Sequence, residues 1–147
     1  MTYATQAHLV ERFGDEELIQ LSDRSIPPLG VIDAAVVAVA LADADGIIDS
    51  PLGARYAVPL AAPLPADIVR VACDIARYQL HDLSPSEAVR EHYRDALRWL
   101  RDLADGTLPL IGDGGAIVGP KSSAFGPTVR PYENGAFGSA FAEVWLP

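Results

Sequence analysis

The sequence has few of the residues that mark disulfide-rich, metal-binding or membrane proteins. Its 147 residues include one cysteine, one methionine and three histidines. The single thiol, Cys73, cannot form an internal disulfide and is too little for a structural zinc site. No apolar run reaches the roughly 18 residues of a membrane-spanning helix. The first residues lack the basic start and apolar core of a signal peptide, so we expect neither element.

Basic residues are also scarce. Eleven lysine and arginine residues stand against twenty aspartate and glutamate residues, for a net charge of −9. A chain this acidic repels phosphate backbones, which argues against nucleic-acid binding as its purpose but allows DNA to pass nearby. The share of hydrophobic residues is 50% and that of charged residues is 21%, as in an ordinary soluble globular protein. The length suits one domain.

The composition changes at Gly106. Residues 1–106 hold nine basic and seventeen acidic residues, whereas residues 107–147 hold seven glycines, five prolines and only five charged residues. We interpret residues 1–106 as a helical body and residues 107–147 as an extended, irregular C-terminal arm.

Two short helices are predicted at the start of the body. Thr5 is a good N-cap for the first, which Gly14 can end in a left-handed conformation. Asp15 can cap the second, which runs from Glu16 to about Ser22 and has the acidic first turn that a helix N-terminus favours.

Three longer helices follow. Asp33 opens the first, which should end by Pro51 because proline disfavours helix in the residue before it. Pro65 suits the first turn of the next. Ser84 or Ser86 caps the last, which has the clearest 3.6-residue periodicity and ends at Gly106. The fold class is therefore all-α, a small bundle whose predicted core includes Leu9, Phe13, Val36, Val39, Ile75, Tyr93, Leu97 and Leu100.

The predicted arm contains five of the eleven aromatic residues of the chain. A disordered linker usually lacks aromatics. Aromatics interleaved with glycine and proline are typical of a segment that lies on another surface. The candidate partner-binding residues are Phe125, Tyr132, Phe137, Phe141 and Trp145.

Two segments resemble ligand-binding loops without matching them. Asp43, Asp45 and Asp49 fall at three ligand positions of a calcium loop, but the first carboxylate and the final glutamate are missing. The Gly114–Gly119 segment has the glycine step of a phosphate loop, but Pro120 displaces the lysine and no helix pattern follows.

The remaining polar residues form no catalytic pattern. The histidines His8, His81 and His92 are scattered over different elements, and no nucleophile elbow is present. Cys73 lies near an apolar helix face and is better explained as a buried, inert thiol. Asp74 and Arg77 fit a helix ion pair. We expect no enzyme activity, no cofactor and no bound metal.

Four stretches of the body, in order, resemble a family of small virion proteins of Mu-like phages and prophages that was long described as a domain of unknown function. The stretches are Tyr3–Gly14, Ile48–Leu60, Ala72–Leu80 and Tyr93–Gly106. The pattern is similar to helical head-tail adaptor, or head-completion, proteins of long-tailed phages. Residues beyond about 110 lie outside the resemblance.

The resemblance implies a structural role without catalytic residues. Adaptor proteins form a ring, commonly of twelve copies, beneath the portal, and their C-terminal arms pack onto the portal. The implied partners are the portal protein, the tail-side neck proteins and further copies of this chain. DNA would pass through the ring without specific binding. The implied location is the virion neck, and the host cytoplasm during assembly, with no membrane.

Two other classes of function stay open. One is a prophage-encoded cytoplasmic interaction or regulatory module without catalytic activity, which would be absent from purified virions. The other is a small hydrolase or metal enzyme, which needs a site that the motifs do not supply.

Overall fold

The computed structural model describes residues 2–82 and 84–121. These residues form two short and three long α-helices, which confirms the predicted all-α class for the described part of the chain. A single 3-10 turn, Asp113–Gly115, follows the last of them. The helices are α1 (Gln6–Phe13), α2 (Asp15–Ser22), α3 (Ala34–Leu52), α4 (Ala66–Leu80) and α5 (Glu87–Asp105).

The three long helices pack against one another and form the bundle, while α1 and α2 pack across α3 and α4. The core lies between these elements and is built from aliphatic side chains. Those with the least exposure include Leu9, Leu18, Ile48, Leu52, Ile68, Ile75, Leu100 and Leu103.

Side chains cap three of the helices where the sequence predicted it, but not α2. Asp15, predicted as the cap of α2, is its first residue, and the N-cap is Gly14, which has no side chain to accept a hydrogen bond. The Thr5 hydroxyl accepts a hydrogen bond from the His8 amide, and His8 Nδ1 accepts one from the Thr5 amide. Asp33 Oδ1 accepts from the amides of Ala35 and Val36 at the start of α3. Ser86, rather than Ser84, caps α5. Each of these acceptors satisfies a donor that the first helical turn leaves free.

Helix α3 differs from the prediction in the face that it buries. Val37 and Leu41 point into the core, whereas Val39, which we expected there, is 62% exposed. Val36 is only partly buried. The assignment of Val39 to the core is wrong because apolar residues of α3 lie on both its buried and its exposed sides, so their spacing alone does not fix its rotation.

The end of α3 also differs, since the helix runs through Pro51 to Leu52. Proline lacks one donor and strains the preceding turn. The turn still forms because Leu52 is fully buried and the Gly53 amide donates to the Asp49 carbonyl at 2.8 Å. The predicted end at or before Pro51 is therefore wrong by one residue.

Residues 107–121, which the composition assigned to the arm, pack on the body. Leu110 is 1% exposed and belongs to the core. The Val118 amide donates to the Leu110 carbonyl, and the Lys121 amide donates to the Arg55 carbonyl, both at 2.8 Å. The tight packing of the body thus extends past Gly106. The rest of the predicted arm, residues 122–147, lies outside the described residues.

Candidate interaction surface

The five aromatic residues predicted to bind a partner lie outside the described residues. They are Phe125, Tyr132, Phe137, Phe141 and Trp145. The candidate interaction residues described below therefore lie on the surface of residues 2–82 and 84–121.

The aspartates of the calcium-like segment hold the N-terminal segment in place. The Tyr3 amide donates to Asp45 Oδ1 at 2.9 Å, and the Tyr3 hydroxyl donates to the Asp49 carboxylate. The same hydroxyl accepts a hydrogen bond from the Leu60 amide at 3.0 Å. Asp43 is exposed. Within the described residues, no group of three or more side chains is arranged to hold a metal ion.

Burial and the neighbouring carboxylates keep the Tyr3 hydroxyl protonated. Burial, together with the hydrogen bond to Asp49, raises the pKa of Tyr3 from 10.0 to about 12. Burial also raises the pKa of Asp45, although the hydrogen bond from the Tyr3 amide opposes that shift. The Tyr3 hydroxyl therefore acts as a donor at neutral pH, and the cluster is a structural anchor.

Cys73 is fully buried, as the sequence predicted. Burial raises the pKa of its thiol to about 11. A thiol with that pKa is protonated at neutral pH and is a poor nucleophile or metal ligand.

The ion pairs of α4 differ from those predicted. Asp74 lies 3.6 Å from Arg70, and Arg77 pairs with Glu17 of α2 instead of with Asp74. Arg77 Nε donates to Glu17 Oε1 at 2.6 Å and its Nη2 donates to Oε2 at 3.0 Å. The same guanidinium lies 4.4 Å above the centre of the Phe13 ring. Arg77 thus links α1, α2 and α4.

The connection between α2 and α3 exposes three large apolar side chains, which is unusual for a short loop. Ile26 is 99% exposed, Leu29 69% and Val31 57%. We call residues 25–31 the apolar loop. In the sequence, Pro27, Pro28 and Gly30 indicated only a break between helices; the apolar residues interleaved with them are the sequence signal of this surface.

Hydrogen bonds fix the base of the apolar loop. Asp23 accepts from the Ser25 amide at 3.1 Å and from the Gly30 amide at 2.7 Å, and the bond from Gly30 contributes most to lowering the pKa of Asp23. The buried Ser22 hydroxyl accepts from the Asp33 amide at 3.0 Å. The loop therefore presents its apolar side chains from a defined backbone.

The outward sides of α3 and α5 have opposite character. Of the eight exposed residues of α3, only Asp43 is charged, whereas eight of the ten exposed residues of α5 are charged. We call the exposed residues of α3 the outer face of α3; they are Ala34, Ala35, Ala38, Val39, Ala42, Asp43, Gly46 and Ser50.

A groove of about 650 Å³ runs beside the C-terminal half of α3. Gly46, Ile47 and Pro51 form one wall, and Leu97 and Arg101 of α5 lie opposite. We call it the α3 groove. Leu97, predicted in the core, lines this groove and is only partly buried.

No helix within the described part of the chain is long and apolar enough to cross a bilayer.

Among the described residues, the candidate interaction surfaces are the apolar loop, the outer face of α3 and the α3 groove.

Comparison with known proteins gives consistent matches. A family model described as "Bacteriophage Mu, Gp36" matches residues 3–124, which include all five helices. The Mu-like prophage FluMu protein gp36 of Haemophilus influenzae is 33% identical over 144 residues, covering 97% of this chain and 92% of that protein. Gene product J of Escherichia phage Mu is 38% identical over 106 residues, covering 72% of this chain and 74% of that protein.

Proposed function

Because the chain belongs to the bacteriophage Mu Gp36 family of phage and prophage proteins, we propose that it is a non-catalytic structural protein of the virion. More specifically, we propose a head-tail adaptor, which forms a ring in the neck of the particle between the portal and the tail. Its partners are the portal protein, the tail-side neck proteins and further copies of the chain, with twelve copies as the expected ring.

The observation that carries the proposal is the exposed apolar surface of a chain with a net charge of −9. Ile26, Leu29 and Val39 are each more than 60% exposed and lie on or beside α3. Large apolar side chains left exposed in one part of the surface often mark an interaction site.

The C-terminal residues supply the second contact in this proposal. Residues 122–147 act as an arm that binds the portal or a neighbouring copy through its aromatic residues. Large aromatics dominate the binding energy of many interfaces. Five of them within 26 residues are enough to offset part of the entropy lost when a segment becomes ordered. The arm begins after Lys121, whose amide is bonded to Arg55 on the body.

The acidic composition suits a channel for DNA. Carboxylates that face the lumen of a ring repel phosphate groups, so DNA passes without binding. The proposed location is the virion neck, with the host cytoplasm as the place of assembly.

The test is a deletion of the gene from an inducible Mu-like prophage. We expect DNA-filled heads that leak or lack tails by electron microscopy, and restoration of intact particles by the wild-type gene supplied in trans. Mass spectrometry of purified wild-type virions should detect the chain. Intact particles from the deletion strain, or virions that lack the chain, would instead support a cytoplasmic interaction or regulatory module.

A further inference from the structure

We propose that the apolar loop of one copy binds in the α3 groove and on the outer face of α3 of a second copy, and that this contact joins neighbours in the ring. The inference rests on the proposed function, which supplies the second copy. The apolar loop lies on one side of the contact and α3 of the second copy lies on the other, so copies join head to tail.

The apolar loop has the exposed side chains and the fixed backbone of a segment that binds another surface. Its three large side chains are among the most exposed apolar groups of the described chain, and Ile26 has almost no contact with the rest of the protein. Backbone amides in and beside the loop donate hydrogen bonds to Asp23 and Ser22, which hold its backbone in one arrangement. A preorganised loop loses little entropy on binding, which favours association.

The outer face of α3 has the composition of a surface that is covered. Seven of its eight exposed residues are uncharged, whereas a helix that faces water normally has a charged or polar outer side. α3 has the same length as α5, 19 residues, yet α5 has the charged outer side of a helix in water. The contrast indicates that α5 stays in solvent and that α3 meets a partner.

Gly46 indicates how closely the partner approaches. It lies in the interior of α3, where glycine destabilises a helix relative to alanine. A Cβ atom added at Gly46 would meet no heavy atom within 4 Å, so neighbouring atoms of the described residues do not exclude a larger residue. A partner that fits tightly into the α3 groove would explain the missing side chain.

The apolar loop does not occupy the α3 groove of its own molecule. None of its residues lines that groove, and Ile26 is 99% exposed. We therefore assign the loop to the groove of another molecule. A contact between two different surfaces propagates from copy to copy until a ring closes.

Charge favours a second copy of this chain as the occupant. Two copies of charge −9 repel each other least where charges are few. The apolar loop has no charged residue, and in the groove the single carboxylate, Asp43, lies with Arg101. A contact between these two surfaces therefore brings no two carboxylates together.

The experiment uses disulfide trapping in particles. A strain that lacks the gene is complemented with the double variant Leu29→Cys/Ala42→Cys, and purified particles are mildly oxidised and run on a non-reducing gel. Cys73 is buried and protonated, so it gives little background. We expect a ladder of multimers that reductant collapses to the monomer, with the largest band at the number of copies in the ring.

Matched controls define the geometry. Leu29→Cys alone, Ala42→Cys alone, and Ile117→Cys/Ala42→Cys should give no ladder; Ile117 is an exposed apolar residue away from the apolar loop. A double variant that gives only a dimer would overturn the head-to-tail contact. A double variant that stays monomeric although it is present in the particles would overturn the inference and leave the proposed function intact. Virions without the wild-type chain would contradict both.

Substitutions test the same contact without crosslinking. Ile26→Asp/Leu29→Asp should reduce the copies per particle about ten-fold or more, because two apolar groups lose their burial. Ile117→Asp should leave the copy number near that of the wild type. Gly46→Phe should also reduce incorporation, whereas Ala88→Phe on the outward side of α5 should not. Circular dichroism confirms that each variant is folded, and normal incorporation of Gly46→Phe would overturn the inference.

Discussion

The hydroxyl of Tyr3 donates a hydrogen bond to the carboxylate of Asp49, 46 residues further along the chain. The same oxygen accepts from the Leu60 amide, so one side chain joins the N-terminal segment, α3 and the connection to α4. The contact explains why two aspartates of a calcium-like segment lie in the middle of a helix. They hold Tyr3 in place.

Replacing Tyr3 with phenylalanine should destabilise the body. The variant leaves the Leu60 amide without its acceptor, and a buried unsatisfied donor costs about 1–3 kcal/mol. We expect a loss of that size in the free energy of unfolding, measured by urea denaturation at pH 7. Tyr78→Phe, which keeps the ring stacked 4.0 Å from Tyr93, is the matched control. Equal stability of Tyr3→Phe and the wild type would contradict the anchoring role.

The difference in free energy of unfolding between the wild type and Tyr3→Phe should become smaller at high pH. The pKa of Tyr3 is raised from 10.0 to about 12 in the folded chain, first by burial and then by Asp49. The unfolded chain therefore loses the Tyr3 proton first. This contribution to stability is complete below pH 10 and is lost as the pH rises through about 12. Unfolding midpoints from pH 8 to 11.5 measure it, and the difference between wild type and Leu100→Ala should show no such fall.

Arg77→Ala should cost about 1–3 kcal/mol of folding free energy. It removes two charge-assisted hydrogen bonds to Glu17 and the contact with the Phe13 ring, and such bonds are stronger than neutral ones. Arg77→Lys should not restore the loss, since lysine cannot make the two-pronged pair. Arg98→Ala breaks an exposed pair with Asp95 at 3.3 Å and should change stability by about 0–1 kcal/mol. Equal effects of Arg77→Ala and Arg98→Ala would exclude the linking role.

Leu100→Ala should destabilise the body by about 2–5 kcal/mol, the usual range for a fully buried leucine. Leu97→Ala should cost clearly less, because Leu97 lines the α3 groove and is only partly buried. The pair Val37→Ala and Val39→Ala tests the rotation of α3 in the same way. Val37 is buried and Val39 is exposed, so only Val37→Ala should lower the thermal midpoint. A larger effect at Val39 would mean that α3 is rotated.

Two truncations should separate the body from the proposed arm. Removal of residues 122–147 keeps Leu110 in the core and the Lys121 amide on Arg55, so we expect a folded chain that fails to support tailed particles. Removal of residues 107–147 also deletes Leu110 and should lower stability by about 2–5 kcal/mol. Circular dichroism and phage titre measure the two effects. Normal particles from the variant that lacks only residues 122–147 would contradict the proposed role of the arm.

Sequence patterns predicted most of the fold. Thr5, Asp33 and Ser86 were identified as helix starts because short polar side chains before apolar runs satisfy the first helical amides. The periodicity of α5 was unambiguous, since its charged residues define one side and its leucines the other. A helix with two different faces can therefore be oriented from its sequence, although Leu97, predicted in the core, lies at the edge of the buried face of α5 and is only partly buried.

The errors occurred where that contrast is absent. Helix α3 has almost no polar residues to mark its outside, so Val39 was placed in the core although it is exposed. Residues 107–121 are rich in glycine and proline and show no period, yet a single buried residue, Leu110, fixes them to the body. One isolated anchor leaves no repeating signal in a sequence.

The candidate surface was largely missed for a related reason. The apolar loop is seven residues long and interrupted by Pro27, Pro28 and Gly30, so it was interpreted only as a break between helices. Its significance depends on exposure, and exposure depends on how neighbouring helices pack. The aromatic residues of the predicted arm, by contrast, were visible from composition, and their role stays a prediction.

The position of Tyr3 also has a consequence for the order of events during synthesis. Tyr3 is synthesised before its partners Asp45, Asp49 and Leu60, which lie between 42 and 57 residues later. Its side chain can therefore be buried only after much of the bundle has been made. Closing a segment of that length has an entropic cost, so Tyr3 should join the fold late, although it is made early.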